Sequence, residues 1–343
     1  MARRCLLILV AASIQLTLAA PRSLGVDWVR GGENGKEPRW GIAGGLQFAI
    51  PPASVGPRGL MRMLYPTLPN KEEAASRPAG GLKYDLVNYI AVQPVVGGKE
   101  GYSELERSKL DGVPGKRLWV EPGELRGELS RGPDSVERLK VTIYVEAFAN
   151  GAHVRVLVEQ RADRPDEITL TPQAEKDTAD LENCVLTATM GNFARARLLW
   201  LKDETVSSLK LYPDYKGNGF VSSMFYPAKR LTVTKDGELL VAITTNERHP
   251  EDARPFRGSD DWYYGGVPVT QFWKKPKGAW KDDLVAIVNG RYVYWGSRKP
   301  VPGGVAFENF EMRERFYPGQ QFTFGITRRT PAELGLRKQL SDE

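Results

Sequence analysis

On both sides of Asn150-Gly151, from Leu139 to Glu159, apolar and polar side chains alternate with a period of two. That pattern, folded at a turn pair, points to antiparallel β structure. Asn-Gly accepts the positive φ of a type I′ turn. A two-residue loop there sets Ala147 opposite Val154, Val145 opposite Val156, and Ile143 opposite Val158. The other face then pairs Phe148 with His153, Glu146 with Arg155, and Tyr144 with Leu157. One face is apolar throughout and the other holds an opposite-charge pair, so pattern and turn agree on register. Val141, Ile143, Val145, Val154, Val156 and Val158 are the expected buried face.

Further hairpins are expected at Asp236-Gly237 (Leu231–Thr244), at Asn289-Gly290 (Leu284–Trp295), and at Gly191-Asn192, joining Cys184–Met190 to Phe193–Leu201. Tyr317-Pro318-Gly319-Gln320 has Pro and Gly where a type II turn needs them, between strands Val305–Phe316 and Gln321–Thr327. Only Thr330-Pro331-Ala332-Glu333 reads as a helix start. Three long polar insertions, Pro66–Lys83, Gln160–Asn183 and Asn246–Asp261, read as loops. The expected fold is all-β: a large antiparallel β-sandwich, of jelly-roll or supersandwich type, with long loop insertions and little helix. One domain over 20–330 with a short C-terminal helix or tail from 331 to 343 is expected. A smaller N-terminal β unit ending near 135 is the alternative.

Arg3-Arg4, the uncharged run from Cys5 to Leu18 and the small residues Ala19-Ala20 read as a secretory signal peptide over residues 1–19. The expected location is therefore secreted or periplasmic. Removal of Cys5 leaves Cys184 alone, which excludes an internal disulfide. No asparagine lies in an Asn-x-Ser/Thr sequon, which favours a bacterial source. After the signal no apolar run is long enough to span a bilayer, so no integral membrane segment is expected. The net charge of +6 comes from 48 basic and 42 acidic side chains that are interspersed. Without a Lys/Arg run, nucleic acid is not an expected partner.

The chain has no Gly-x-Ser-x-Gly, His-Glu-x-x-His, phosphate-binding loop or dinucleotide fingerprint. With His153 and His249 its only histidines, a histidine-rich metal centre is excluded, and Asp260-Asp261 and Asp282-Asp283 lack calcium-loop spacing. Neither a metal nor a cofactor is expected.

The positive signal is aromatic. Trp262, Tyr263 and Tyr264 precede Gly265-Gly266, followed by Gln271, Phe272 and Trp273, then Trp280, Tyr292, Tyr294 and Trp295. Flat rings beside a sheet suit the C–H faces of sugars, although the same residues fill β-sandwich cores. Arg195 and Arg197 share a strand face and could fork onto carboxylates or sulfates. His153 is expected on a polar face. Glu308 and Glu314 share a face that excludes Glu311, so spacing alone does not make a paired-carboxylate hydrolase.

Tyr263-Tyr264-Gly265-Gly266-Val267 with Gln271 resembles the Tyr-Phe-Lys-Ala-Gly…Gln strand of jelly-roll alginate lyases. Tyr102-Ser103-Glu104-Leu105-Glu106-Arg107 resembles their Arg-Ser-Glu-Leu-Arg strand, in the same order. Here Gly265 stands in place of the lysine, Tyr102 in place of the first arginine, and the intervening Gln-x-His element is absent. The resemblance implies a polysaccharide partner. The sequence thus favours an exported polysaccharide-active enzyme, a lyase or hydrolase, acting on a possibly acidic glycan. Tyr263, Tyr264 and His153 are its candidate bases, Arg195 and Arg197 its charge partners, and Trp262, Gln271 and Trp273 its binding groups. A non-catalytic glycan-binding module and a cell-envelope structural protein are the alternatives.

Overall fold

The computed structural model describes residues 26–32, 38–50, 59–67, 83–103, 117–190, 195–246, 269–293 and 299–336. The expected signal peptide and Trp262, Tyr263, Tyr264 and Trp295 lie outside the described residues. In chain order the first strands are β1 (Trp28–Val29), β2 (Arg39–Ile42), β3 (Gln47–Ala49), β4 (Leu60–Thr67), β5 (Lys83–Val96), β6 (Lys99–Glu100) and β7 (Leu118–Trp119). Next come β8 (Glu128–Arg131), β9 (Glu137–Val145), β10 (Val154–Arg161), β11 (Glu167–Ala174), β12 (Asn183–Met190), β13 (Leu198–Trp200) and β14 (Thr205–Ser207). The last are β15 (Met224–Pro227), β16 (Thr232–Val233), β17 (Leu239–Thr244), β18 (Thr270–Lys275), β19 (Val285–Arg291), β20 (Ala306–Arg313) and β21 (Phe322–Thr327). One short helix, α1 (Ser208–Leu211), and three 3-10 turns complete the described elements.

These strands form two antiparallel sheets packed as a β-sandwich. Sheet A has ten strands in the order β1-β2-β3-β4-β5-β12-β20-β19-β15, with β6 on β5. Sheet B has eleven, ordered β14-β13-β17-β18-β21-β11-β10-β9-β7, with β16 on β17 and β8 on β9. β5 pairs with β12 over eight residues, from Asn183↔Val95 to Met190↔Asn88, so the N-terminal strands share a sheet with later ones. The core lies between the sheets. Met61, Met63, Ile90, Leu186, Phe310 and Met312 enter it from sheet A, and Val141, Val156, Leu170, Val241, Trp273 and Phe324 from sheet B. Each fully buried side chain of this kind contributes roughly 1.5–3 kcal/mol.

β9 and β10 form the expected hairpin, and all six named aliphatic residues of its inner face are at most 2% exposed. The register is two residues away from the expected one: Val156 faces Ile143 and Val158 faces Val141. A type I′ turn needs positive φ at both Asn150 and Gly151, and only Gly151 has it, at 92°. The chain instead closes a three-residue loop, with Gly151 N–H donating to Phe148 O at 3.0 Å and Phe148 N–H to Ala152 O at 2.8 Å. Even displacements keep each side chain on its face, so the burial pattern survives. The pairs do not: Glu146 lies 3.8 Å from Arg117, and Arg155 binds Gln173 and Glu175. Phe148, expected on the polar face, is buried in the core.

The hairpin at Asp236-Gly237 forms with the same three-residue loop, Gly237 alone taking positive φ. Asn289-Gly290 makes no hairpin turn. β19 runs through it, and Gly290 sits at a bulge against β20, where a Cβ would meet Ala306 O at 2.7 Å. Gly191-Asn192 lies outside the described residues, but β12 and β13 belong to different sheets and do not pair. The type II turn forms, with Gln320 N–H to Tyr317 O at 3.1 Å and Gly319 at φ 81°. It connects β20 of sheet A to β21 of sheet B, so it is a corner between the layers. The segment Gln160–Asn183 is not simply a loop: β11 runs through it and joins β10 to β21. Thr330 and Glu333 form the reciprocal cap, though only a 3-10 turn (Ala332–Leu334) follows.

Candidate functional site

Arg195 and Arg197 do share a face, but they do not stand on an open strand surface. They are 5% and 3% exposed and converge on one backbone oxygen, the carbonyl of Pro302. Arg197 also donates to Gly304 O at 3.1 Å and to Asn246 Oδ1 at 3.3 Å. Burial, and then the neighbouring charge of Arg195, push its guanidinium down to about 10, which leaves it charged near neutrality. The pair braces the loop 300–305 from behind. Gly303 and Gly304, at φ 79° and 108°, let that loop pass so close that a Cβ on Gly303 would sit 3.0 Å from Arg197 Nη1.

The loop forms one wall of a cavity of about 550 Å³. Tyr212 and Tyr215, just after α1, and Tyr292, just after β19, form the rest of its aromatic lining, with Lys216 exposed beside them. Two of these rings are held by their hydroxyls: Tyr212 donates to Ser222 O at 2.8 Å and Tyr215 to Gly219 O at 3.0 Å. Burial, with Tyr226 adding to it, pushes the Tyr212 phenol up to about 12, so it is a hydrogen-bond donor and not a base. The pocket therefore offers three aromatic rings, two of them held by backbone hydrogen bonds, beside an exposed cation.

The other expected site residues are scattered. His153 immediately precedes β10, and its Nδ1 lies 2.6 Å from Asp177 Oδ1. Between β10 and β13, beside Arg197, stand β11, β21, β18 and β17, a separation of roughly 24 Å at ordinary strand spacing. His153 thus cannot share a reacting centre with the arginines. Gln271 and Trp273 point into the core. The Gln271 amide oxygen accepts from Asn88 on β5, and Trp273 Nε1 donates to Phe310 O at 2.8 Å. Trp273 is fully buried against Phe322 and Phe324, so it is core and not a sugar platform. Ser103 is also architectural: its hydroxyl donates to Gly59 O, and its oxygen accepts Val92 N–H.

The acidic trio separates as well. Glu311 accepts from Thr187 on the outer face of sheet A. Glu314 is buried with Lys275 and Gln320 at the corner between the sheets. Glu308 is buried 3.7 Å from Arg291 Nε, and burial pushes its carboxyl up to about 7, against a smaller opposing pull from Arg291. Asp283 accepts Arg315 N–H, and among the described residues no three His, Cys, Asp or Glu converge. Burial pushes the Cys184 thiol up to about 12, which makes it inert. Among the described residues no helix is long and apolar enough to cross a membrane.

No protein-family model matches the chain, and no curated protein matches it. Sequence reading missed Tyr212 and Tyr215 because they stand apart from the aromatic run after residue 262. The available signal was Tyr212-Pro213-Asp214-Tyr215-Lys216-Gly217, two rings in a turn-rich segment.

Proposed function

We propose that this protein is an exported glycan-binding protein, and that a sugar ring seats in the Tyr212–Tyr215–Tyr292 pocket. The observation that carries the reading is the construction of that pocket. Two of its three rings, Tyr212 and Tyr215, are held by hydrogen bonds to backbone carbonyls, and its opposite wall is braced by two buried arginines. Preformed concave sites with a few fixed polar groups bind small rings with little ordering cost. The signal-like N-terminus and the resemblance to alginate-lyase strands point the same way. Binding is preferred to catalysis because His153, the one expected base among the described residues, is remote from the arginines, and Tyr212 is held protonated.

Affinity electrophoresis of the mature protein through gels containing a panel of neutral and acidic polysaccharides tests this. Retardation by at least one polymer is expected. Retardation by none assigns the protein a structural role, and release of shortened or unsaturated products makes it an enzyme.

A further inference from the structure

β15 is the outermost strand of sheet A, and its side carries the two most exposed phenylalanines among the described residues. Phe220 is 47% exposed and Phe225 52%. An arginine stands over each ring. The Arg291 guanidinium lies 3.8 Å from the Phe220 ring centre, and the Arg313 guanidinium 5.4 Å from that of Phe225. Phe225 faces Ile287 and Phe220 faces Arg291 along β19, four residues further on. The two stacks are therefore spaced by about 13 Å along the strand. Both lie on the outer face of the sheet, where Glu311 faces Ile287.

The charges of these arginines are only partly used. Arg291 Nε lies 3.7 Å from Glu308 Oε1, beyond hydrogen-bond distance, and among the described residues it is buried without a hydrogen-bond partner. Arg313, among the described residues, meets the Phe225 ring. A guanidinium lying flat over a ring keeps its forked N–H edge available, and that edge matches a carboxylate or sulfate. Exposed ring and forked cation together fit one sugar unit bearing an anionic group. The track leads to the pocket: Arg291 and Tyr292 are consecutive, one on the outer face and the other in the cavity lining, and Tyr215 binds Gly219 beside Phe220.

We infer that the bound glycan is an anionic polysaccharide, read along the edge of sheet A by the Phe220–Arg291 and Phe225–Arg313 stacks before it enters the tyrosine pocket. This rests on the glycan-binding reading and adds the charge class and the path. A neutral chain would leave both forks facing water. An extended nucleic acid strand would also meet rings and cations, and is separated by the test.

The experiment measures binding of polygalacturonate, dextran sulfate, neutral dextran and single-stranded poly(dT) at low and high salt. Proteins compared are wild type, Arg313→Gln, Phe225→Ala, Arg291→Lys and, as a charge control on β6, Lys99→Gln, each checked for an unchanged melting temperature. Wild type is expected to hold polygalacturonate or dextran sulfate more tightly than dextran and poly(dT), with salt weakening it. Whichever anionic polymer is held identifies carboxylate or sulfate as the group read. Arg313→Gln should lose roughly tenfold in that affinity, as for a charged hydrogen bond. Arg291→Lys keeps the charge beside Glu308 and loses the fork, so it should weaken binding and still fold. Lys99→Gln should match wild type. If glycans are bound but without anionic preference, or Arg313→Gln and Arg291→Lys both bind like wild type, the inference falls and the glycan reading stands. If no glycan is held, both fall. Equal binding of poly(dT), or a wild-type dimer that Phe225→Ala dissociates, also overturns the inference.

Discussion

Trp273 on β18 donates its indole N–H to the carbonyl of Phe310 on β20 at 2.8 Å, and so joins the two sheets through the middle of the core. Asn88 and Gln271 make a second such bridge, and Lys275 and Glu314 a third at the corner. Trp273→Phe leaves the Phe310 carbonyl buried without that donor and opens space beside Phe324. A loss of about 2–4 kcal/mol in urea unfolding is expected. A loss below about 0.5 kcal/mol would mean that the bridge is not formed.

Lys275 and Glu314 are both fully buried at the side chain, with the Phe322 ring 4.1 Å from the ammonium. Removing one partner leaves the other charge uncompensated. Lys275→Met is expected to destabilise by about 3–5 kcal/mol, and Lys275→Met with Glu314→Leu to recover much of that loss. Denaturation of the single and double variants measures it, and equal instability of the two would contradict the pairing.

Glu308 gives the fold a pH dependence of known sign. Its carboxyl is raised by burial from 4.5 to about 7 in the folded chain. Between those values the folded state holds a proton that the unfolded state has lost. Its contribution is therefore complete below about 4.5 and falls away as pH rises through about 7, by about 3 kcal/mol in total. Glu308→Gln removes this slope. The stability of wild type minus that of Glu308→Gln should decline from pH 4.5 to pH 7.5, and a difference that is flat or rising would contradict the burial argument.

The hairpin turn depends on one backbone angle and one side chain. Gly151 has φ 92°, and Asn150 Nδ2 reaches across to Pro94 O and Lys99 O at 3.0 and 2.9 Å. Gly151→Ala is expected to cost about 1–2 kcal/mol through strain alone. Asn150→Ala should cost a similar amount by releasing the turn from sheet A. Chemical denaturation reads both, and neutral effects would argue against this loop geometry.

Burial faces were legible in the sequence where alternation was regular, as from Val141 to Val145 and from Val154 to Val158, but not at Ala147 and Phe148 beside the turn. Exact pairing was not, because an Asn-Gly pair is compatible with loops of two or three residues, and Asn150 stayed at negative φ. Asn289-Gly290 misled for a related reason: glycine serves close approach as well as turns, and here Ala306 O demands it. β11 was hidden by Pro165 and Pro172. Pro172 is tolerated because β21 pairs only with Glu167–Leu170, leaving its missing N–H unneeded on that side. The site was less legible than the fold. Strand alternation shows that a residue such as Trp273 takes one face or the other. It does not show which face meets the opposite sheet, and here Trp273 faced inward while Phe272 took the other face.

Arg197 is predicted to shape the pocket without entering it. Arg197→Lys keeps a charge but cannot hold the Pro302 and Gly304 carbonyls together. Weaker glycan binding of about tenfold is expected, with a smaller loss of stability. Calorimetric titration with the polymer found by electrophoresis would show this, and unchanged affinity would mean that the wall stands without its brace.

The most direct measurement of the central proposal compares glycan affinity in wild type, Tyr215→Ala, Tyr215→Phe and Trp119→Ala. Trp119 stacks on Tyr144 at 5.8 Å in sheet B, on β7 and β9, and serves as an aromatic control outside the pocket. Calorimetry should show Tyr215→Ala losing tenfold or more, as expected for a buried aromatic contact, with Tyr215→Phe intermediate and Trp119→Ala like wild type. Full affinity in Tyr215→Ala, or a loss confined to Trp119→Ala, would contradict the pocket as the sugar site.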